Sequence, residues 1–216
     1  MLTKRKFKKL SMLLHTTFGL MKKIKETQDT QTPITFRLWF FQKVLGFNRH
    51  VYWPVHFTST VSHSHNIYAG IDTSPGYSHG CYIQGIGKVY IGDYTQVAPN
   101  VGIISANHNL VDSRVHQKGE VYIGKYCWLG MNSVILPNVT LGDFTIVGAG
   151  SVVTKSFPDG HCVIAGNPAK IIKILNNSEC KPFNNRYEYN GYYKHDFFSE
   201  NQDLFINEEL FNDNNN

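Results

Sequence analysis

VYIGKYCWLGMNSVILPNVTLGDFTIVGAGSVVT, residues 121–154, is the stretch whose spacing decides the fold. From Ile123, a step of six lands on Leu129, Ile135, Leu141, Val147 and Val153, aliphatic at every rung. Gly follows four rungs directly, at 124, 130, 142 and 148. Two positions before the rungs stand Val121, Cys127, Ser133, Val139, Thr145 and Ser151, all small or β-branched. A period of six suits neither an α-helix nor an isolated strand, whose side chains repeat at roughly 3.6 and 2. It suits a solenoid in which each hexad is one short face and three faces close a triangular coil of about eighteen residues. The rungs then point inward and stack on their equivalents one coil along, at about 4.8 Å, the spacing of hydrogen-bonded strands. The ladder glycines are expected to serve the corners, where they accept dihedrals that a Cβ resists.

Working outward, Val55, Val61 and Ile67 already keep the step of six. Residues 71–80 break it at Pro75-Gly76, and it resumes at Ile91, Val97 and Ile103. Residues 104–120, ISANHNLVDSRVHQKGE, carry no hexad and read as a polar loop inserted between runs. Long polar insertions in a tight solenoid serve function or assembly. Beyond Thr154 the coil winds down to the turn Gly166-Asn167-Pro168, and residues 169–175 read as a short closing strand or helix. Pro33 is expected in the first turn of a helix ending near Leu45, with Gly46 as its stop. That helix should cover the N-terminal end of the coil, which would otherwise be an open sheet edge.

The chain divides into a basic, helical N-terminal region over 1–50, the coil over 51–175 and an Asn-rich extension over 176–216. Its net charge of +5 is uneven: residues 1–25 hold eight basic side chains and no acidic one. Leu10, Leu13, Leu14, Phe18 and Met21 recur there at helical spacing, as in a helix packed on the body or one making weak contact with an anionic membrane surface. The remainder is slightly acidic, which argues against nucleic acid as a partner. The apolar run 11–21 is too short to span a bilayer. Four Cys without a CxxC pair, and no secretory signal, point to a reducing, cytoplasmic setting. Cys127 and Cys162 read as buried small hydrophobes.

IGKYCWLGMNSVILPNVTLGDFTIVGAGSVVTK, followed by GNPAK at 166–170, resembles the hexapeptide-repeat acyltransferases, in particular the group of galactoside, maltose, xenobiotic and capsule O-acetyltransferases. The resemblance covers roughly residues 51–175. It implies a left-handed parallel β-helix, a homotrimer and acetyl-CoA as co-substrate, with no metal. By the same resemblance His108, in Asn107-His108-Asn109 after the VAPNV turn, is the catalytic general base. A neutral imidazole suits that task, since it titrates near working pH. Asp112 or a backbone carbonyl would orient it. The resemblance also places the pantetheine arm near Trp128, Met131 and Ala149, then Thr154 and Lys155, and the nucleotide phosphates near Lys170 and Lys173. It places the acceptor, a saccharide or similar small hydroxylated molecule, near Tyr77, Ser78 and His79. Galactoside-type members carry an Asn where this chain has Ser78. Alternatives are a serine-type O-acetyltransferase, a zinc enzyme like the γ-carbonic anhydrases, and a non-catalytic solenoid. The zinc reading needs three imidazoles, yet the ladder from 121 to 154 holds none.

Overall fold

The computed structural model describes residues 16–207; Leu10, Leu13 and Leu14 of the expected N-terminal helix lie outside them. The hexads build a three-sided prism. One face stacks Thr60–Ser62, Tyr82–Gln84, Gly102–Ile104, Val134–Ile135 and Val152–Val153. A second stacks Gln96–Val97, Trp128–Leu129, Thr145–Val147 and Cys162–Gly166, closed by Ala169–Ile174. The third stacks Ile67–Ala69, Lys88–Ile91, Glu120–Ile123 and Val139–Leu141. All pairs are parallel except the last of the second face, where Ala169–Ile174 returns antiparallel on Cys162–Gly166. Ile135 lies opposite Val153 and Leu129 opposite Val147, each 18 residues on, as a coil of three hexads demands.

Every rung from Ile123 to Val153 is at most 1% exposed, and Cys127 and Cys162 are buried beside them. Burial pushes the Cys127 thiol up to about 12, so it packs as a small hydrophobe. Ile83 is also a rung, opposite Val61 and Ile103. The step of six misses it because the coils between Val61 and Ile103 are longer: 22 residues separate Val61 from Ile83 and 20 separate Ile83 from Ile103.

The glycines correct one expectation. Gly124, Gly130, Gly142 and Gly148 do not adopt positive φ. They are needed for space, because a Cβ on Gly142 would lie 2.1 Å from the carbonyl oxygen of Pro158, and one on Gly130 2.5 Å from that of Val147. The corner dihedrals fall three residues after seven of the rungs instead. Tyr94, Asn100, Tyr126, Asn132, Asn138, Phe144 and Gly150 all have φ between 55° and 70°. Asn tolerates this region, but aromatic residues rarely do. Here they gain ring contacts one coil along: Tyr94 on Tyr126 at 5.3 Å, Tyr126 on Phe144 at 4.9 Å and Phe144 on His161 at 5.1 Å.

The N-terminal end is covered from two directions. The expected helix begins at Phe36 rather than Pro33, because the Thr35 hydroxyl caps it by accepting from the Leu38 N–H. It passes into a π-helical turn over Phe40–Val44, and Gly46 follows at φ 97°. An upstream helix spans Leu20–Thr27. The C-terminal extension supplies the second cover. Phe183 packs on Tyr94 and Tyr126, Asn185 donates to Asp72 at 2.8 Å, and Tyr192, Phe198 and Phe205 bury against the start of the coil. Gln42, fully buried, ties these layers together. Its amide donates to the carbonyls of Asn48, Val51 and Trp53 and accepts from the Val55 N–H and the Tyr192 hydroxyl.

Candidate active site

The polar insertion is narrower than its sequence suggests. Ile104 and Glu120 belong to coil strands, and between them Ala106–His108 pairs antiparallel with His116–Lys118 as a hairpin. It adds fourteen residues to one coil, so Ile103 lies opposite Ile135, 32 positions on. Its base is pinned by the Gly119 N–H to the Ser105 carbonyl, 2.7 Å, and by the Ala106 N–H to Gln84 Oε1, 2.9 Å. Its tip is shaped by Asn109 Oδ1, which accepts from the N–H groups of Val111 and Asp112.

His108 sits at the exposed end of the first hairpin strand. Its Nδ1 bonds the carbonyl oxygen of Ser113. A carbonyl can only accept, so Nδ1 is the donor, and in the neutral ring Nε2 keeps the lone pair. Asp112 does not orient this ring. Its carboxylate is held by Arg114, whose Nε and Nη2 each donate at 2.9 Å and keep that carboxyl below its ordinary range. His116, eight residues along the chain, faces His108 across the hairpin with ring centroids 4.5 Å apart. Neither Ser113 nor His116 could be assigned this place from spacing, because the turn that brings them to His108 has no recognisable turn dipeptide.

The other singled-out residues fall into three places. Trp128 is half exposed on the second face, and strand register lines it up with Ile146, Val163 and Lys173, one per strand. Lys170 is exposed on the same closing strand. Met131 and Ala149 occupy the adjoining corner one coil apart, where the Gly150 N–H bonds the Met131 carbonyl. Thr154 and Lys155 lie across the first face, at the corner from which the hairpin departs. One chain therefore holds Met131 and Ala149 at one edge of a face and His108, Thr154 and Lys155 at the other.

Tyr77 and Ser78 commit their hydroxyls to backbone: Tyr77 donates to the Pro33 carbonyl at 3.1 Å and Ser78 to that of Val97 at 2.9 Å. Burial raises the Tyr77 phenol above its usual range. His79 is exposed, with its ring 6.2 Å from that of His56. Among the described residues, no three His, Cys, Asp or Glu side chains converge where they could hold a metal ion.

A family model described as bacterial transferase hexapeptide (six repeats) matches residues 120–155. The galactoside O-acetyltransferase of Escherichia coli (strain K12) is 40% identical over 96 residues, 42% of this chain and 46% of that protein. The galactoside O-acetyltransferase of Lactococcus lactis is 34% identical over 100 residues, 44% of this chain and 47% of that one. The chain thus matches about half the length of these relatives. Among solved structures, a maltose O-acetyltransferase from Clostridium difficile 630 superposes with a TM-score of 0.53 at 26% identity, covering 73% of this chain and 89% of the other. A galactoside acetyltransferase in complex with coenzyme A does so with a TM-score of 0.56 at 23% identity, covering 80% and 90%, which is a likeness of fold. The chain is therefore similar to the hexapeptide-repeat O-acetyltransferases, in sequence over the coil around residues 120–155 and in fold over most of its length.

Proposed function

We propose that this protein transfers an acetyl group from acetyl-CoA to a hydroxyl of a saccharide or similar small acceptor, with His108 as general base. The observation that carries this reading is the hydrogen bond from His108 Nδ1 to the Ser113 carbonyl, which leaves Nε2 as the proton-accepting nitrogen. The acceptor hydroxyl attacks the thioester carbonyl as Nε2 takes its proton. The tetrahedral oxyanion collapses, the C–S bond breaks, and the imidazolium returns the proton to the departing CoA sulfur. No acyl-enzyme is needed. His79, the exposed member of its trio, is the acceptor contact we favour. Tyr77 and Ser78, whose hydroxyls bond backbone carbonyls, would hold that turn in place.

The cofactor would lie along the row Trp128, Ile146, Val163, Lys173, flanked by the Met131–Ala149 corner, with Lys170 and Lys173 toward its phosphates. Four strands at about 4.8 Å spacing span about 14 Å, the scale of an extended pantetheine arm. This row lies on the second face, whereas His108 leaves the corner on the far side of the first. A complete site then needs a second chain to bring its hairpin to the groove, which supports a homotrimer of left-handed coils. Thr154 and Lys155, at the hairpin's own corner, would meet the cofactor from that second chain. The basic start of the chain would make weak contact with an anionic membrane surface.

The direct test is thiol release from acetyl-CoA with a panel of mono- and oligosaccharides. Acceptor-dependent release is expected; no release above hydrolysis with any sugar would contradict the reading.

A further inference from the structure

We propose that the N-terminal end of the prism is a peripheral membrane-binding face for anionic bilayers. On it, an aromatic and aliphatic patch over residues 36–57 enters the lipid interface beside the lysine-bearing helix Leu20–Thr27. The patch is built, not incidental. Phe36, Val44, Leu45 and Phe47 are 47–59% exposed. Half-buried Phe40, Phe41 and Phe57 link Phe36 to Phe47 through ring contacts of 4.7 to 6.3 Å, and Val44 and Leu45 lie between them in the chain. The inward side of the same helix carries Leu38, Gln42 and Lys43, all buried. The helix therefore already uses one face for the fold and leaves a second apolar face outward. Contiguous exposed apolar surface of this kind marks an interaction site.

Charge decides what covers it. Residues 1–50 hold eleven Lys and Arg against two acidic residues, +9, whereas 51–216 hold ten against fourteen, −4. Arg37 and Arg49 are exposed within the patch segment. The helix Leu20–Thr27 lies over the same end, with Lys23 over the Tyr193 ring while Lys43 of the second helix sits over Tyr192. It exposes Lys22 and Lys25, with Met21 74% exposed and neighbouring Phe18 87% exposed. Aromatic and aliphatic side chains rimmed by Lys and Arg suit the headgroup boundary, where apolar groups enter and cations meet lipid phosphates. Basic residues or one apolar patch alone bind weakly; two signals on one end make attachment stable. This inference does not depend on the acetyl transfer.

The experiment is flotation of the full chain with vesicles of phosphatidylcholine alone or with about 30% phosphatidylglycerol. Two double variants, Phe36→Ser/Leu45→Ser and Arg37→Glu/Arg49→Glu, are compared, with light scattering for oligomeric state. Binding to anionic vesicles should exceed that to neutral ones by about tenfold and fall by a similar factor in about 0.5 M salt. Each double variant should lose about fivefold or more while keeping the wild-type mass. Three results would overturn the proposal: equal binding to both vesicles, wild-type binding by Phe36→Ser/Leu45→Ser, or a changed oligomeric state in that variant. The last would make the patch a contact between copies.

Discussion

His108 and its surroundings show how much one backbone carbonyl can decide. The Ser113 oxygen sets the tautomer, and Arg114 occupies the nearest carboxylate, Asp112. Two substitutions should therefore behave differently. His108→Ala should lower acceptor-dependent thiol release by about 10²–10⁴-fold, the usual contribution of a positioned base. Asp112→Asn should change kcat by no more than about threefold, since the carboxylate acts on Arg114 and not on the imidazole. Steady-state kinetics on both would check this, and a loss with Asp112→Asn equal to that with His108→Ala would reassign the orienting group. The sequence singled out His108 only through the likeness of its surroundings. Its partner was not legible, because no side chain in the sequence encodes a main-chain acceptor five residues away. The ladder glycines were legible as a pattern and misread as a cause. Their spacing marks where neighbouring coils come too close for a Cβ, while the left-handed corners fall to Asn and aromatic residues and, once, to Gly150.

Among the elements, the prism was legible because its information is local: one buried aliphatic residue every six positions, repeated on strands that pair with their equivalents one coil along. Ile135→Ala removes such a rung from a site with no exposure. It should cost about 2–5 kcal/mol by urea unfolding, because stacked coils cannot collapse onto the cavity. The return of the C-terminal extension was not legible. Its aromatic residues follow no period, and their partners Tyr52 and Gln42 lie some 150 positions earlier. Tyr192→Ala should accordingly destabilise the N-terminal end by about 3–5 kcal/mol, seen as a lower unfolding midpoint.

Lys43 adds a pH signature to that end. It is buried with its Nζ donating to the carbonyls of Arg49 and Val51, and burial, with Arg49 nearby, lowers its pKa from 10.5 to about 7. Between these values the unfolded chain binds a proton that the folded chain does not. The Lys43 contribution to stability therefore rises with pH from about 7 to 10.5, and below about 7 the charged form is carried inside at a cost. In Lys43→Met this rise should be absent, so the gap between mutant and wild-type unfolding midpoints should shift between neutral and alkaline pH. Parallel midpoints for the two proteins would show that the ammonium is not desolvated.

For the whole molecule, the decisive feature is separation. The hairpin with His108 leaves one corner of the prism, and Trp128, Met131 and Ala149 gather around another. Neither the period nor the resemblance showed which residues share a corner; that follows from strand register and from the fourteen-residue insertion. If the base of one chain serves the cofactor groove of the next, two variants inactive for different reasons should complement each other. The most direct measurement mixes unfolded His108→Ala with unfolded Ala149→Tyr, whose added ring would fill the groove, and refolds them together. Random assembly into a closed ring would give about a quarter of the sites an intact base and an intact groove from different chains. Recovery of about that share of wild-type thiol release is expected. Two inactive variants that stay inactive after verified co-assembly would contradict it, by placing base and groove in the same chain.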